Sequence, residues 1–251
     1  MGEAAVLLLH GQPGSADDWR GVRAAVGTRA RTIAIDRPGW NGHGSPTDLA
    51  GNARAALAAL AAEGASRAIV VGHSLGAAVA AWLAAEHPER VASLVLAAPS
   101  ANRASLNRFD RLLATPLVGP TISTATLAGA GAALQAEPLR RRVSAGLGLD
   151  DDYLQTTGRA LLRPATWRVF AFEQRMLIRQ LPVLEQRLAA ISSPTTVVRG
   201  TADRVVTPSS TSRLAAQIRG GELVQLPGAT HLLPQQHPAE LAEIIVGTRP
   251  S

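Results

Sequence analysis

The chain contains no cysteine and no lysine. The first absence excludes disulfides, thiolate metal sites and a thiol nucleophile. The second makes every basic side chain an arginine, and 25 of these against 19 acidic residues give a formal net charge of +6. Aromatics are also sparse: three Phe, one Tyr and four Trp leave little surface for stacking on bases. The arginines are scattered, with only Arg140-Arg141-Arg142 forming a run. They read as solvated surface and ion pairs, and no nucleic-acid partner is expected. No secretory leader is expected, because Met1-Gly2-Glu3 has no basic region and the apolar run at 4–9 is too short. Gly2 lacks the following Ser or Thr of a myristoylation signal. A cytoplasmic protein, monomer or homodimer, is the expectation. Residues 112–136 carry no charge but hold Pro116 and Pro120, so they read as buried or groove-lining helix and not as a stable membrane span.

What is abundant is apolar: 46% of the 251 residues are hydrophobic, enough for a large core. Residues 4–9 form a short apolar run ended by His10-Gly11, the mark of a strand buried on both faces. Runs at 32–35, 68–71, 91–97, 195–198 and 222–226 predict five more strands. Between them, residues 15–25, 48–62, 75–86, 208–218 and 238–246 carry helix signals. These include an N-cap at Ser15 with acidic Asp17-Asp18 behind it, and an Ala-rich stretch stopped before Pro88. Such alternation predicts an α/β fold, a mostly parallel sheet with helices on both faces. Residues 101–190 break the rhythm, with helical spacing and no convincing strand. They are expected to form a helical cap or lid inserted into a core made of 1–100 and 191–251.

The chemistry centres on Gly72-His73-Ser74-Leu75-Gly76, a G-x-S-x-G sequence between an apolar strand and an Ala-rich helix. A serine on such a turn sits in a strained backbone, which requires small neighbours. The following helix aims its N-terminal N–H groups at a developing oxyanion. A second motif, His10-Gly11-Gln12-Pro13-Gly14, follows the first strand. Its Gly/Pro turn would leave the Gln12 N–H free, to form an oxyanion hole with the N–H of Leu75. A nucleophilic serine needs a base, and the base needs an orienting acid. Of the six histidines, His10 and His73 belong to these turns and His87 and His237 each precede a proline. His231 follows the last strand and is the candidate base. Asp203 follows the fifth strand and is the candidate acid, in the order serine, acid, histidine that this elbow calls for. Asp150-Asp151-Asp152 read instead as a charged turn opening a helix. Trp40, His43 and His73 are candidate site-lining residues, His43 because it stands in a glycine-rich loop.

These motifs, together with Asp36-Arg37-Pro38-Gly39, Gly200-Thr201-Ala202-Asp203 and Gly228-Ala229-Thr230-His231, resemble the α/β-hydrolase superfamily, in its capped serine esterase-like branch. The resemblance implies an insertion after the sixth strand of the usual numbering, and an N-terminal hairpin for which this sequence shows no strand signal before residue 4. It implies acyl transfer from a small apolar ester through Ser74, His231 and Asp203, with no metal or organic cofactor. Ser rather than Asp at position 74 argues against haloalkane dehalogenase and epoxide hydrolase chemistry. Two alternatives keep the fold: carbon–carbon bond hydrolysis or perhydrolysis with the same triad, and a ligand-binding member with low turnover. The loop after Asp36 is two residues longer than the usual turn, which would reshape the site entrance.

Overall fold

A computed structural model of the chain describes residues 5–248, so the readings at Met1-Gly2-Glu3 and at Ala4 lie outside the described residues. β1 (Ala5–Leu9) is buried along its whole length. Side chains alternate along a strand, so Leu7 and Leu9 enter one core while Val6 and Leu8 enter another. Each such buried aliphatic side chain contributes about 1.5–3 kcal/mol of transfer free energy. Both faces of the sheet therefore need covering, and the helices between strands supply the cover.

In chain order the elements are α1 (Arg20–Val26), β2 (Thr32–Ile35), α2 (Leu49–Ala62), β3 (Ala68–His73), α3 (Leu75–Glu86) and β4 (Val91–Ala97). Five helices follow: α4 (Arg108–Leu113), α5 (Val118–Gln135), α6 (Glu137–Leu147), α7 (Asp151–Leu161) and α8 (Pro164–Glu185). The chain then returns through β5 (Thr195–Gly200), α9 (Pro208–Gln217), β6 (Glu222–Leu226), α10 (Leu233–Gln236) and α11 (Pro238–Gly247). The six strands lie in the order β2-β1-β3-β4-β5-β6. Every pairing is parallel. α2, α3, α9 and the C-terminal half of α8 pack on one face, and α1 and α11 on the other.

β3 and β5 run two residues past the apolar stretches read from the sequence. Gly72 pairs with Leu96, His73 with Ala97 and Gly200 with Leu226. Backbone pairing on a central strand does not need an apolar side chain, so glycine does not end it. The sheet order reverses at β1: the chain steps to β2 on one side, then back to β3 on the other. Such a reversal leaves a crevice at the C-terminal ends of the two strands. The loops after β1 and β3 are the two that carry His10-Gly11-Gln12 and Ser74.

The segment between β4 and β5 holds the five helices α4 to α8 and no strand among the described residues. It has a small core of its own, formed by Leu113, Leu127, Leu161, Val169 and Phe170 with Trp40 from the loop after β2. α8 joins this core to the sheet, since its Met176, Leu177, Leu181 and Leu184 enter the main core. Asp150 caps α7, with Asp151 and Asp152 in its first turn. The arginine run is dispersed into ion pairs: Arg140 meets Asp151 and Arg141 meets Glu137. No helix among the described residues is long and apolar enough to cross a membrane.

Candidate active site

Ser74 stands between β3 and α3 with φ 52° and ψ −118°, a conformation that costs energy for any residue with a Cβ. The turn is possible only because its neighbours are glycines. A Cβ on Gly76 would lie 2.2 Å from the Leu9 carbonyl oxygen, and one on Gly72 would lie 2.3 Å from the Gly76 carbonyl oxygen. The Ser74 N–H bonds Ala97 O at 3.0 Å, and its carbonyl accepts from Ser100 N–H at 3.1 Å. The strained residue is thus clamped to β4.

The structure brings Ser74, His231 and Asp203 into one hydrogen-bonded chain. Ser74 Oγ lies 3.1 Å from His231 Nε2, and His231 Nδ1 lies 2.9 Å from Asp203 Oδ2. A carboxylate only accepts, so Nδ1 carries the imidazole proton and Nε2 is free to accept from the serine hydroxyl. Asp203 also takes the N–H groups of Val205 at 2.7 Å and Val206 at 3.0 Å. Burial pushes its carboxyl up, but the His231 imidazole and these two N–H groups outweigh burial and hold it below its usual range. It is therefore ionised at neutral pH.

His73 supports this arrangement from behind. Its Nε2 donates to the His231 carbonyl at 2.8 Å, and the two rings lie 5.1 Å apart. Burial first, then the neighbouring His231, lower its pKa to about 3, so it stays neutral. Among the described residues the Gln12 N–H meets no backbone acceptor. Leu75 N–H lies in the first turn of α3, where a helix offers no carbonyl. Both residues line the same cavity as Ser74.

That cavity has a volume of about 620 Å³. Its wall is largely apolar, with Phe109, Leu113, Leu127, Leu154, Phe170 and Leu177 all supplied by the inserted helices. Besides Ser74 and His231, its polar members include Gln12, Asp18, Asp110, Tyr153, Gln174 and Arg204. Trp40 and His43 are not part of this wall. Gly39 and Gly42, in the loop after β2, take φ 93° and 86°. His43 ends exposed, 3.5 Å from Asp36, while Trp40 points inward and donates from Nε1 to Glu173 Oε1 at 3.1 Å.

Two polar groupings beside the site were not read from the sequence. Arg37 and Glu173 form an ion pair in which each side chain is 1% exposed. Arg37 also donates to the carbonyls of His10, at 2.9 Å, and Gly11, at 2.8 Å. It thereby ties the loop after β1 to α8. The available signal for Glu173 was that it is the only acid between Asp152 and Glu185, on a helix that also buries Val169, Phe170, Met176 and Leu177. In the second grouping, Asp18 Oδ1 accepts from Tyr153 at 3.0 Å, and the Tyr153 hydroxyl accepts from Gln235 Nε2 at 3.1 Å. Burial raises the Asp18 carboxyl to about 6, against the Ser15 N–H and the Tyr153 hydroxyl, which favour its charge.

Residues 6–244 match the model of the Alpha/beta hydrolase family. A putative carbamate hydrolase, RutD, of Variovorax paradoxus is 31% identical over 90% of this chain and 84% of its own length. A pimeloyl-[acyl-carrier protein] methyl ester esterase of Aeromonas hydrophila is 29% identical over 96% of this chain and 93% of its own. Among solved structures, an alpha/beta hydrolase fold protein from Nakamurella multipartita superposes with a TM-score of 0.65 at 29% identity, covering 98% of this chain and 92% of that one.

Proposed function

Since the chain belongs to the alpha/beta hydrolase family and is a hydrolase, we propose that it cleaves carboxylic esters or related acyl bonds through a Ser74–His231–Asp203 triad. The observation that carries this reading is the unbroken hydrogen-bonded chain from Ser74 Oγ through His231 to Asp203. Ser74 Oγ attacks the substrate carbonyl while its proton passes to His231 Nε2. Asp203 keeps His231 in the required tautomer and stabilises the imidazolium as it forms. The negative charge that develops on the carbonyl oxygen is held by the N–H groups of Gln12 and Leu75, each such donor contributing on the order of 10²–10³ in rate. His231 returns the proton to the leaving alcohol, and water activated by the same imidazole then releases the acid from Ser74.

The helices between β4 and β5 act as a cap over this site, and their apolar wall suits a small acyl group. An acyl chain-length series of p-nitrophenyl esters tests the reading. Turnover should be highest for short and medium chains and fall once the chain outgrows the cavity. No turnover of any ester, with hydrolysis of a vinylogous diketone or peroxide-dependent perhydrolysis instead, would give the site to one of the alternative reactions. Stoichiometric labelling of Ser74 without turnover of any substrate would make it a binding site.

A further inference from the structure

The uncharged stretch 112–136 begins where the fold leaves apolar side chains in water. Leu112 is 40% exposed, Leu117 87% and Val118 51%, and Phe109 on α4 is 50% exposed. These side chains form one patch. Phe109 and Leu112 stand three residues apart, on one face of α4. Gly119, next to Val118, packs against the end of that helix: a Cβ there would lie 2.1 Å from the Leu113 carbonyl oxygen and 3.2 Å from that of Leu112. Exposed apolar side chains gathered in this way mark an interaction surface.

The patch borders the opening of the Ser74 cavity. Phe109, Arg204 and Val205 line that cavity and are themselves exposed. The surrounding charge is positive. Arg108, Arg111 and Arg204 are exposed and enter no ion pair among the described residues. The acid on the same helix, Asp110, is turned to the Asn107 N–H, at 2.9 Å, within the capping box of α4. A second copy of the chain fits this surface badly, since two-fold pairing of the patch would set its arginines against themselves. An anionic lipid surface suits both features: its acyl region takes the apolar side chains and its headgroups take the guanidinium groups. We propose that α4 and the start of α5 dock on an anionic lipid bilayer, with the opening of the Ser74 cavity beside the contact. The contact is interfacial, and it stands independently of the ester-hydrolase reading.

Flotation with lipid vesicles tests the proposal, using Ser74→Ala so that binding is read without turnover. The protein should float with vesicles of phosphatidylcholine mixed with phosphatidylglycerol, more weakly with phosphatidylcholine alone, and less at high salt. Leu112→Ser/Leu117→Ser should lower partitioning by about tenfold or more. Leu117→Ser alone, at the most exposed position, should carry part of that loss. Arg108→Gln/Arg111→Gln should lower partitioning roughly thirtyfold, about fivefold per arginine. Arg67→Gln/Arg90→Gln removes the same charge just before β3 and β4, at the opposite end of those strands from Ser74, and should partition as the parent does. Thermal melts verify that each variant is folded. No flotation with the anionic vesicles, equal flotation with both compositions, or equal losses from the two arginine pairs overturns the proposal. A dimer in analytical ultracentrifugation that Leu117→Ser dissolves would give the patch to a second copy and overturn it too. Ester turnover by the unaltered protein tests the hydrolase reading separately, so the two failures are told apart.

Discussion

Removing Glu173 should cost both stability and rate, and the two losses should separate in a double variant. In Glu173→Leu the Arg37 guanidinium keeps its burial at 1% exposure and loses its counter-charge, and Trp40 Nε1 loses its acceptor. Breaking one side of a buried pair costs about 3–5 kcal/mol. At roughly 2–4 °C per kcal/mol for a chain of this size, the melting temperature should fall by about 10 °C. The rate falls as well, because Arg37 holds the His10 and Gly11 carbonyls beside the proposed oxyanion donor Gln12. The decrease in kcat should be about tenfold, below the effect of losing a donor outright. In Arg37→Met/Glu173→Leu no charge is left unpaired, so much of the stability returns. The rate does not, since the two carbonyls remain untethered. Circular-dichroism melts and ester kinetics on the parent, Glu173→Leu, Arg37→Met and the double variant complete the cycle. A single variant that loses less than about 1 kcal/mol, or a double variant as unstable as the sum of both singles, would refute the reasoning.

Three further outcomes are expected. Asp203→Asn should lower kcat by about 10³–10⁴ with little change in melting temperature, because the wrong imidazole tautomer is then favoured; stopped-assay kinetics check this. Gly76→Ala sets a Cβ 2.2 Å from a backbone oxygen of β1, and should fail to accumulate as folded protein or melt far below the parent, which soluble yield and thermal scans report. His73 is neutral in the fold, with its pKa lowered to about 3 from 6.5. Its stabilisation is complete above 6.5 and is lost as pH falls, about 2 kcal/mol by pH 5. His10, lowered well below 6.5 chiefly by burial, adds to that loss. Asp18, raised to about 6, acts the other way and gives back about 1.4 kcal/mol over the same interval. Urea unfolding at pH 7 and pH 5 should show the net fall, and a steeper one in Asp18→Asn.

The fold was legible in the sequence wherever one principle acted alone. Fully buried parallel strands read as near-continuous apolar runs, and β4 has the bounds expected of it. The elbow was legible because Gly72 and Gly76 are dictated by backbone approach and leave a trace in the residue types themselves. Trp40 and His43 show the limit of such reading. They are neighbours in the loop after β2, yet positive-φ glycines send one inward to Glu173 and the other to solvent. Sequence spacing does not report that turn. The Arg37–Glu173 and Asp18–Tyr153–Gln235 groupings were illegible for a related reason. Their partners are separated by 136, 135 and 82 positions, and only the packing of the inserted helices on the core brings them together.

The proposed role of Ser74 is tested most directly by treating the protein and its Ser74→Ala variant with a fluorophosphonate, locating the adduct by mass spectrometry, and measuring p-nitrophenyl ester turnover on both. The account predicts a single adduct on Ser74 of the parent, with none at that position and no turnover above background in a folded variant. Ester turnover that persists in Ser74→Ala, or an adduct elsewhere that abolishes activity while Ser74 stays unmodified, would contradict it.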